Sequence, residues 1–153
     1  SRKFLQGVNE ELDLWVTHYA WLHSKYPKDK VTRLQKIMNQ NPESPLLEMP
    51  DVPNLTYIIE YLLELGTSLA SGFGVTPITW TELRSWLELS ELQLDSWESN
   101  LLISLSRSFC ANYTKFDEKD FPTPYVIEEF DRKAASASIG GSLRLLAKRM
   151  NKK

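Results

Sequence analysis

An all-α fold is predicted for this chain: a compact bundle of five to seven helices with a proline-rich linker and a basic C-terminal helix. Three observations carry that expectation. Apolar residues recur at steps of three and four through most of the chain. Polar caps stand immediately before several of these runs. Alternating β-branched runs of strand length are missing, so no strand is expected. The 153 residues suit one core, with 42% apolar and 25% charged side chains, an ordinary soluble composition.

The first element follows from Leu5, Val8, Leu12, Trp15, Val16, Tyr19 and Leu22, which make one stripe over residues 4–25. Pro27 ends it. Val31, Leu34, Ile37 and Met38 predict a shorter, more basic helix over 28–40. Pro42, Pro45, Pro50 and Pro53 then predict a linker without regular structure. It divides the expected organisation: a helical pair plus linker over 1–52, a helical core domain over 53–135, and a hinge with a basic helix over 136–153.

Asn54 is placed to cap a helix running to about Ala70, with Leu55, Ile58, Ile59, Leu62, Leu63 and Leu69 on its apolar face. A turn-rich stretch, Ser71 to Pro77, follows. Thr79-Trp80-Thr81-Glu82 has capping-box spacing, so a helix is expected from Trp80 to about Ser90. Asp95-Ser96-Trp97-Glu98 repeats the device for a helix through Leu101, Leu105, Phe109 and Tyr113. Residues 114–124 read as a polar loop. A helix from Tyr125 to about Ala135, a hinge from Ser136 to Gly141 and a basic helix from Leu143 to Met150 complete the chain.

Charge is unevenly spread. Residues 1–40 carry net +3, residues 41–131 net −12, and residues 132–153 net +7. An acidic middle repels phosphate, so nucleic acid is not an expected partner there. The basic end reads as a solvated tail, or as a contact for an acidic protein partner, or for nucleic acid. No apolar run is long enough to span a bilayer, and no membrane association is expected. The opening, Ser1-Arg2-Lys3-Phe4, leads into an amphipathic segment, so no secretory leader is expected. The single Cys110 suits a reducing compartment.

Chemistry-bearing patterns are few. His18 and His23 lie five apart and point about 140° from each other on an ideal helix, poor spacing for a metal pair. No G-x-S-x-G elbow is present. Cys110 sits mid-helix among apolar neighbours and reads as packing. Gly72-Phe73-Gly74 follows a helix rather than a strand, which disfavours a phosphate cradle. Glu60 and Glu64 read as a wet i, i+4 pair. No enzyme, cofactor or metal is therefore expected. The helices at 80–90 and 96–113 could form a helix-turn-helix, but Asn100, Arg107 and Asn112 stand in acidic surroundings; an αα-hairpin is the simpler reading.

One register is more specific. Leu63-Glu64-Leu65-Gly66 is followed by Gly72-Phe73-Gly74, then by Pro77-Ile78-Thr79-Trp80-Thr81-Glu82-Leu83, Trp86 and Leu89. Leu94-Asp95-Ser96-Trp97-Glu98, Leu102, Leu105, Ser106, Phe109 and Pro124-Tyr125 continue it. Residues 53–125 thereby resemble the tail assembly chaperones encoded in the tail-morphogenesis region of long-tailed bacteriophages and prophages. One departure stands out: the family's Thr-Gly turn is Ser90-Glu91 here.

The resemblance implies a protein of the host cytoplasm without catalysis, which binds the tape measure protein and keeps it soluble while tail-tube subunits assemble. The tail-tube protein and further copies of the chain, in a homo-oligomer, are the other implied partners. A structural tail component retained in the virion and a helical nucleic-acid-binding regulator are the alternatives. Aromatic side chains dominate interfaces, so Tyr57, Tyr61, Trp80, Trp86 and Trp97 are the candidate groove, with core packing as the competing role for the tryptophans. Glu82 and Glu98 read as caps. In the basic helix, Leu143, Leu146 and Met150 make an apolar face beside Arg144, Lys148 and Arg149, a second candidate partner-binding set aimed at an acidic surface.

Overall fold

The computed structural model describes residues 2–127, with side chains from residue 7 onward. Leu5 of the expected first stripe therefore lies outside the described side chains. So do the expected basic helix and its Arg144, Lys148 and Arg149. Five α-helices, one 3-10 turn and one β-hairpin make up the described residues.

Helix α1 (Arg2–His23) and helix α5 (Ser96–Glu118) are the two long elements. They pack along one another more extensively than any other pair. At ~1.5 Å per residue each is about 33 Å long, enough to run the length of a small domain. Val8, Leu12, Trp15, Val16 and Leu22 of the expected stripe are buried against Leu101, Leu102, Leu105 and Phe109 of α5 in one continuous core. Polar pairs line the seam: Ser108 bonds Asp13, and Asn112 donates to Thr17.

The second helix, α2, is shorter than expected, Arg33–Gln40. Residues 25–32 form a turn closed by a bridge between Lys25 and Thr32, with Lys28 at φ 69°. Thr32 caps α2 by accepting from the Gln35 N–H. The proline segment holds more structure than its missing donors suggested. Ser44 caps a 3-10 turn over Pro45–Leu47, and Met49 and Val52 are buried in the core. Proline fits such a turn because its fixed φ suits the first position, where no N–H is needed.

Helix α3 spans Thr56–Leu65. Asn54 does not cap it: Asn54 sits at φ 66°, a left-handed position that Asn tolerates, and the cap position falls on Leu55 without a side-chain bond. Nor does the helix reach Ala70. Gly66 breaks it at φ 109°, a conformation that residues with a Cβ rarely adopt.

The expectation of no strands is corrected here. Leu69–Ser71 (β1) and Gly74–Thr76 (β2) pair antiparallel, with Ala70 opposite Val75. The fold is mostly helical rather than purely all-α. Each strand is three residues long, too short to show a period of two, and Gly74 at φ 128° closes the hairpin. The Ser71 hydroxyl accepts from Phe73 N–H and donates to the Gly74 carbonyl, which fixes the turn.

Helix α4 (Trp80–Ser90) starts where expected, with Thr79 accepting from Glu82 N–H. Helix α5 opens with a full capping box: Asp95 accepts from the Glu98 N–H at 2.8 Å and Glu98 accepts from the Asp95 N–H at 3.2 Å. It continues five residues past Tyr113, to Glu118, into the stretch expected to be loop. Residues 125–127 are not helical, so the helix expected from Tyr125 does not begin there; its remainder lies outside the described residues.

Candidate partner-docking surface

The five aromatic candidates fall into three environments. Tyr57 and Tyr61 stand one turn apart on α3 and meet edge to face, ring centroids 5.7 Å apart. Tyr61 meets Trp86 of α4 in the same manner at 5.5 Å. These three rings form a half-buried ladder that joins α3 to α4. Burial pushes the Tyr57 phenol up to about 12, helped by a hydrogen bond to Glu98 and the nearby Asp95 charge. The Trp86 indole N–H is buried without a hydrogen-bond partner among the described residues.

Trp97 is half-buried against the core, the packing role that competed for it in the sequence. Trp80 is different. It is 51% exposed at the first position of α4. With Leu83, Leu87, Leu92 and Ser99 it lines a shallow depression of about 260 Å³ between α4 and the start of α5. Arg84 and Glu88 stand at the same depression and pair with each other at 3.1 Å.

Two further apolar residues of residues 38–111 are exposed and were not singled out as partner contacts. Phe73 is fully exposed at the hairpin tip, and Leu89 is 87% exposed on α4. The position of Phe73 between two turn glycines was the available signal. So was the departure of Leu89 from the stripe of Leu83 and Leu87. The surroundings are acidic: residues 54–100 contain seven carboxylates and one basic side chain, Arg84.

Ser106 is buried in the middle of α5. Its hydroxyl accepts from Ile78 N–H at 2.8 Å and donates to the Thr67 carbonyl at 2.7 Å. Those two residues flank the hairpin, so one hydroxyl anchors both ends of the excursion that carries Phe73. The connection from α4 to α5 is as informative. Glu91 occupies the left-handed region, at φ 56° and ψ 28°. Leu92 N–H reaches back to the Leu87 carbonyl at 3.2 Å, the long return bond of a Schellman ending. The turn thus keeps the shape a glycine would give it, on a residue that pays for a Cβ.

Of the remaining sequence candidates, His18, His23 and Cys110 are embedded in the body. His18 is fully buried and donates from Nε2 to the Leu46 carbonyl at 2.9 Å. Burial lowers it to about 4. His23 donates to the Tyr19 carbonyl and is also lowered by burial. Cys110 is buried in the core, which pushes its thiol up. Among the described residues no three His, Cys, Asp or Glu side chains cluster as metal ligands. No helix is long and apolar enough to cross a membrane among them. Of the residues that would have read DNA, Asn100 donates to the Ser96 carbonyl and Asn112 to Thr17 and Ser108.

No curated protein and no solved structure matches the chain. The family model described as phage tail assembly chaperone matches residues 38–111, from the end of α2 through the proline segment, α3, the hairpin and α4 into α5. The match reaches further toward the N-terminus than the tryptophan register alone, and it contains the ladder, Phe73, Trp80, Leu89 and Ser106. Over residues 38–111, just under half of the chain, the sequence is similar to the phage tail assembly chaperone family.

Proposed function

We propose that this protein binds the tape measure protein during tail assembly and keeps it soluble until tail-tube subunits enclose it. The reading is non-catalytic, and it places the work in the host cytoplasm. The observation that carries it is the exposure of Trp80 beside a depression lined by Leu87 and Leu92, in a matched segment that also exposes Phe73 and Leu89. A long helical client with an apolar face aggregates when alone. A partner that offers apolar anchors ringed by carboxylates can cover such a face and stay soluble through its charge. The Tyr57–Tyr61–Trp86 ladder and Trp97 serve this surface from below, by holding α3, α4 and α5 in register.

The test is capture of the tagged chain from cells producing tails, read by mass spectrometry and compared with finished virions. Recovery of the tape measure protein, with the chain absent from virions, is expected. A double variant, Trp80→Ser with Leu89→Ser, should lose at least tenfold of that recovery while remaining folded, since both side chains are exposed. Wild-type capture without the tape measure protein, or presence of the chain in virions, would overturn the reading.

A further inference from the structure

Helix α4 is the least deeply packed of the five α-helices. Of its eleven residues only Leu83 is buried. Helix α3, with ten residues, buries Ile58, Ile59 and Leu62. Trp86 and Leu87 are half-buried against the core, while Trp80 and Leu89 are exposed. The polar bonds of α4 are local: Thr79 accepts from the Glu82 N–H, and Arg84 pairs with Glu88. Trp86 meets Tyr61 through ring packing, and its buried N–H has no hydrogen-bond partner among the described residues. Such a group costs free energy while packed and regains water when uncovered. The exit is strained too, since Glu91 holds a left-handed backbone at φ 56°. On either side the chain is well fixed. Buried Ser106 holds the Ile78 N–H just before α4, and the Asp95–Glu98 capping box stands just after it.

We propose that residues 80–90 open as one cooperative unit from a body that stays folded, hinged at Thr79 and at the Glu91 turn. Local opening is easiest where few apolar side chains are buried and the polar bonds are local. Helices α1 and α5 share the continuous core and open only with the whole molecule. An isolated helix of eleven residues is marginal in water, so α4 melts as it leaves. Opening brings Leu83, Trp86 and Leu87 into solvent beside Trp80 and Leu89. It hydrates the Trp86 N–H, releases Glu91 from its left-handed backbone and uncovers Tyr61 on α3. The closed form hides most of that apolar surface, which limits self-association. A partner that binds the uncovered side chains shifts the population toward the open form. That consequence rests on the reading of this face as the client surface; the opening itself does not.

Amide hydrogen exchange of the full, unsubstituted chain tests this, read residue by residue by NMR under native conditions and in low urea. Amides from Arg84 to Ser90 lie within α4, and those from Leu102 to Phe109 within α5. The α4 amides should be protected about thirtyfold less than those of α5, or weaker still, and should share one protection factor. Their protection should fall only shallowly with urea, because little surface is exposed, whereas that of α5 should fall with the steep slope of global unfolding. A difference well under about thirtyfold, or equal urea slopes, means that α4 opens only with the whole molecule and overturns the proposal. Protection that fades stepwise from Ser90 inward is fraying of one end and overturns it as well. No client enters this measurement, so its failure is separate from failure to capture the tape measure protein.

Discussion

Ser106 shows how much a single small side chain can hold. It sits where an apolar residue would be expected by period, and its hydroxyl uses both donor and acceptor on backbone groups that flank the hairpin. Replacing it by Ala leaves the Ile78 N–H and the Thr67 carbonyl without that partner. A buried polar group so stranded costs about 1–3 kcal/mol. Ser106→Ala should therefore lower the unfolding free energy by that amount in a urea titration, with the hairpin amides losing exchange protection first. Arg33 plays the corresponding part at the end of α5. Its guanidinium is fully buried, donates to Ser24, to the Phe116 carbonyl at 2.8 Å and to the Lys119 carbonyl at 3.2 Å, and lies over the Tyr26 ring at 4.6 Å. One cation thus closes the end of α5 onto the turn between α1 and α2. Nothing in the spacing of the basic residues marked Arg33 as different from its solvated neighbours, because burial is a property of what packs on top.

At the scale of elements, ends decided more than middles. The tail of α4 turns on Glu91 in a left-handed conformation. For a residue with a Cβ this costs about 1–2 kcal/mol, which glycine avoids. Glu91→Gly should stabilise the protein by about 1 kcal/mol, after the entropy glycine adds to the unfolded chain, measured as a rise in thermal midpoint. An unchanged or lower midpoint would show that the Glu91 side chain compensates its own strain. The two capping signatures before α4 and α5 were legible because they depend on residues three apart on one strand of sequence. The exit of α3 was legible only in part. Apolar period carried the helix to Ala70, whereas the backbone turns at Gly66, the glycine that closes the Leu63-Glu64-Leu65-Gly66 part of the family register. The hairpin was not legible, since three-residue strands owe their pairing to Gly74 and to the anchors at Thr67 and Ile78.

At the scale of the whole molecule, the core joins what the prolines separate in sequence. Met49 and Val52 pack in the same cluster as α1 and α5, and the Leu46 carbonyl receives the His18 ring proton. Burial of that ring, not the bond, makes stability depend on pH. His18 titrates near 6.5 when unfolded and near 4 in the native state. Above 6.5 both states are neutral and the full stability is present. As pH falls below 6.5 the unfolded chain takes up a proton that the native state refuses, so stability declines until about pH 4 and then levels for this group. The loss is of order ~3 kcal/mol; His23, shifted in the same direction, adds to it. Denaturant melts between pH 7 and pH 4.5 should show this slope, and His18→Gln should flatten it.

What the sequence by itself determined are the features written in neighbours along the chain: the helical periods of α1, α3, α4 and α5, the caps at Thr79 and Asp95, and the register of Trp80, Trp86 and Trp97 that carries the family resemblance. What only the tertiary structure decided is which of those tryptophans faces solvent. Trp86 and Trp97 are covered because α3 and the core lie over them, while Trp80 begins its helix beyond the edge of that cover. Periodicity names a face of a helix. Which faces are occupied depends on elements distant in sequence, and those meet only when the chain folds.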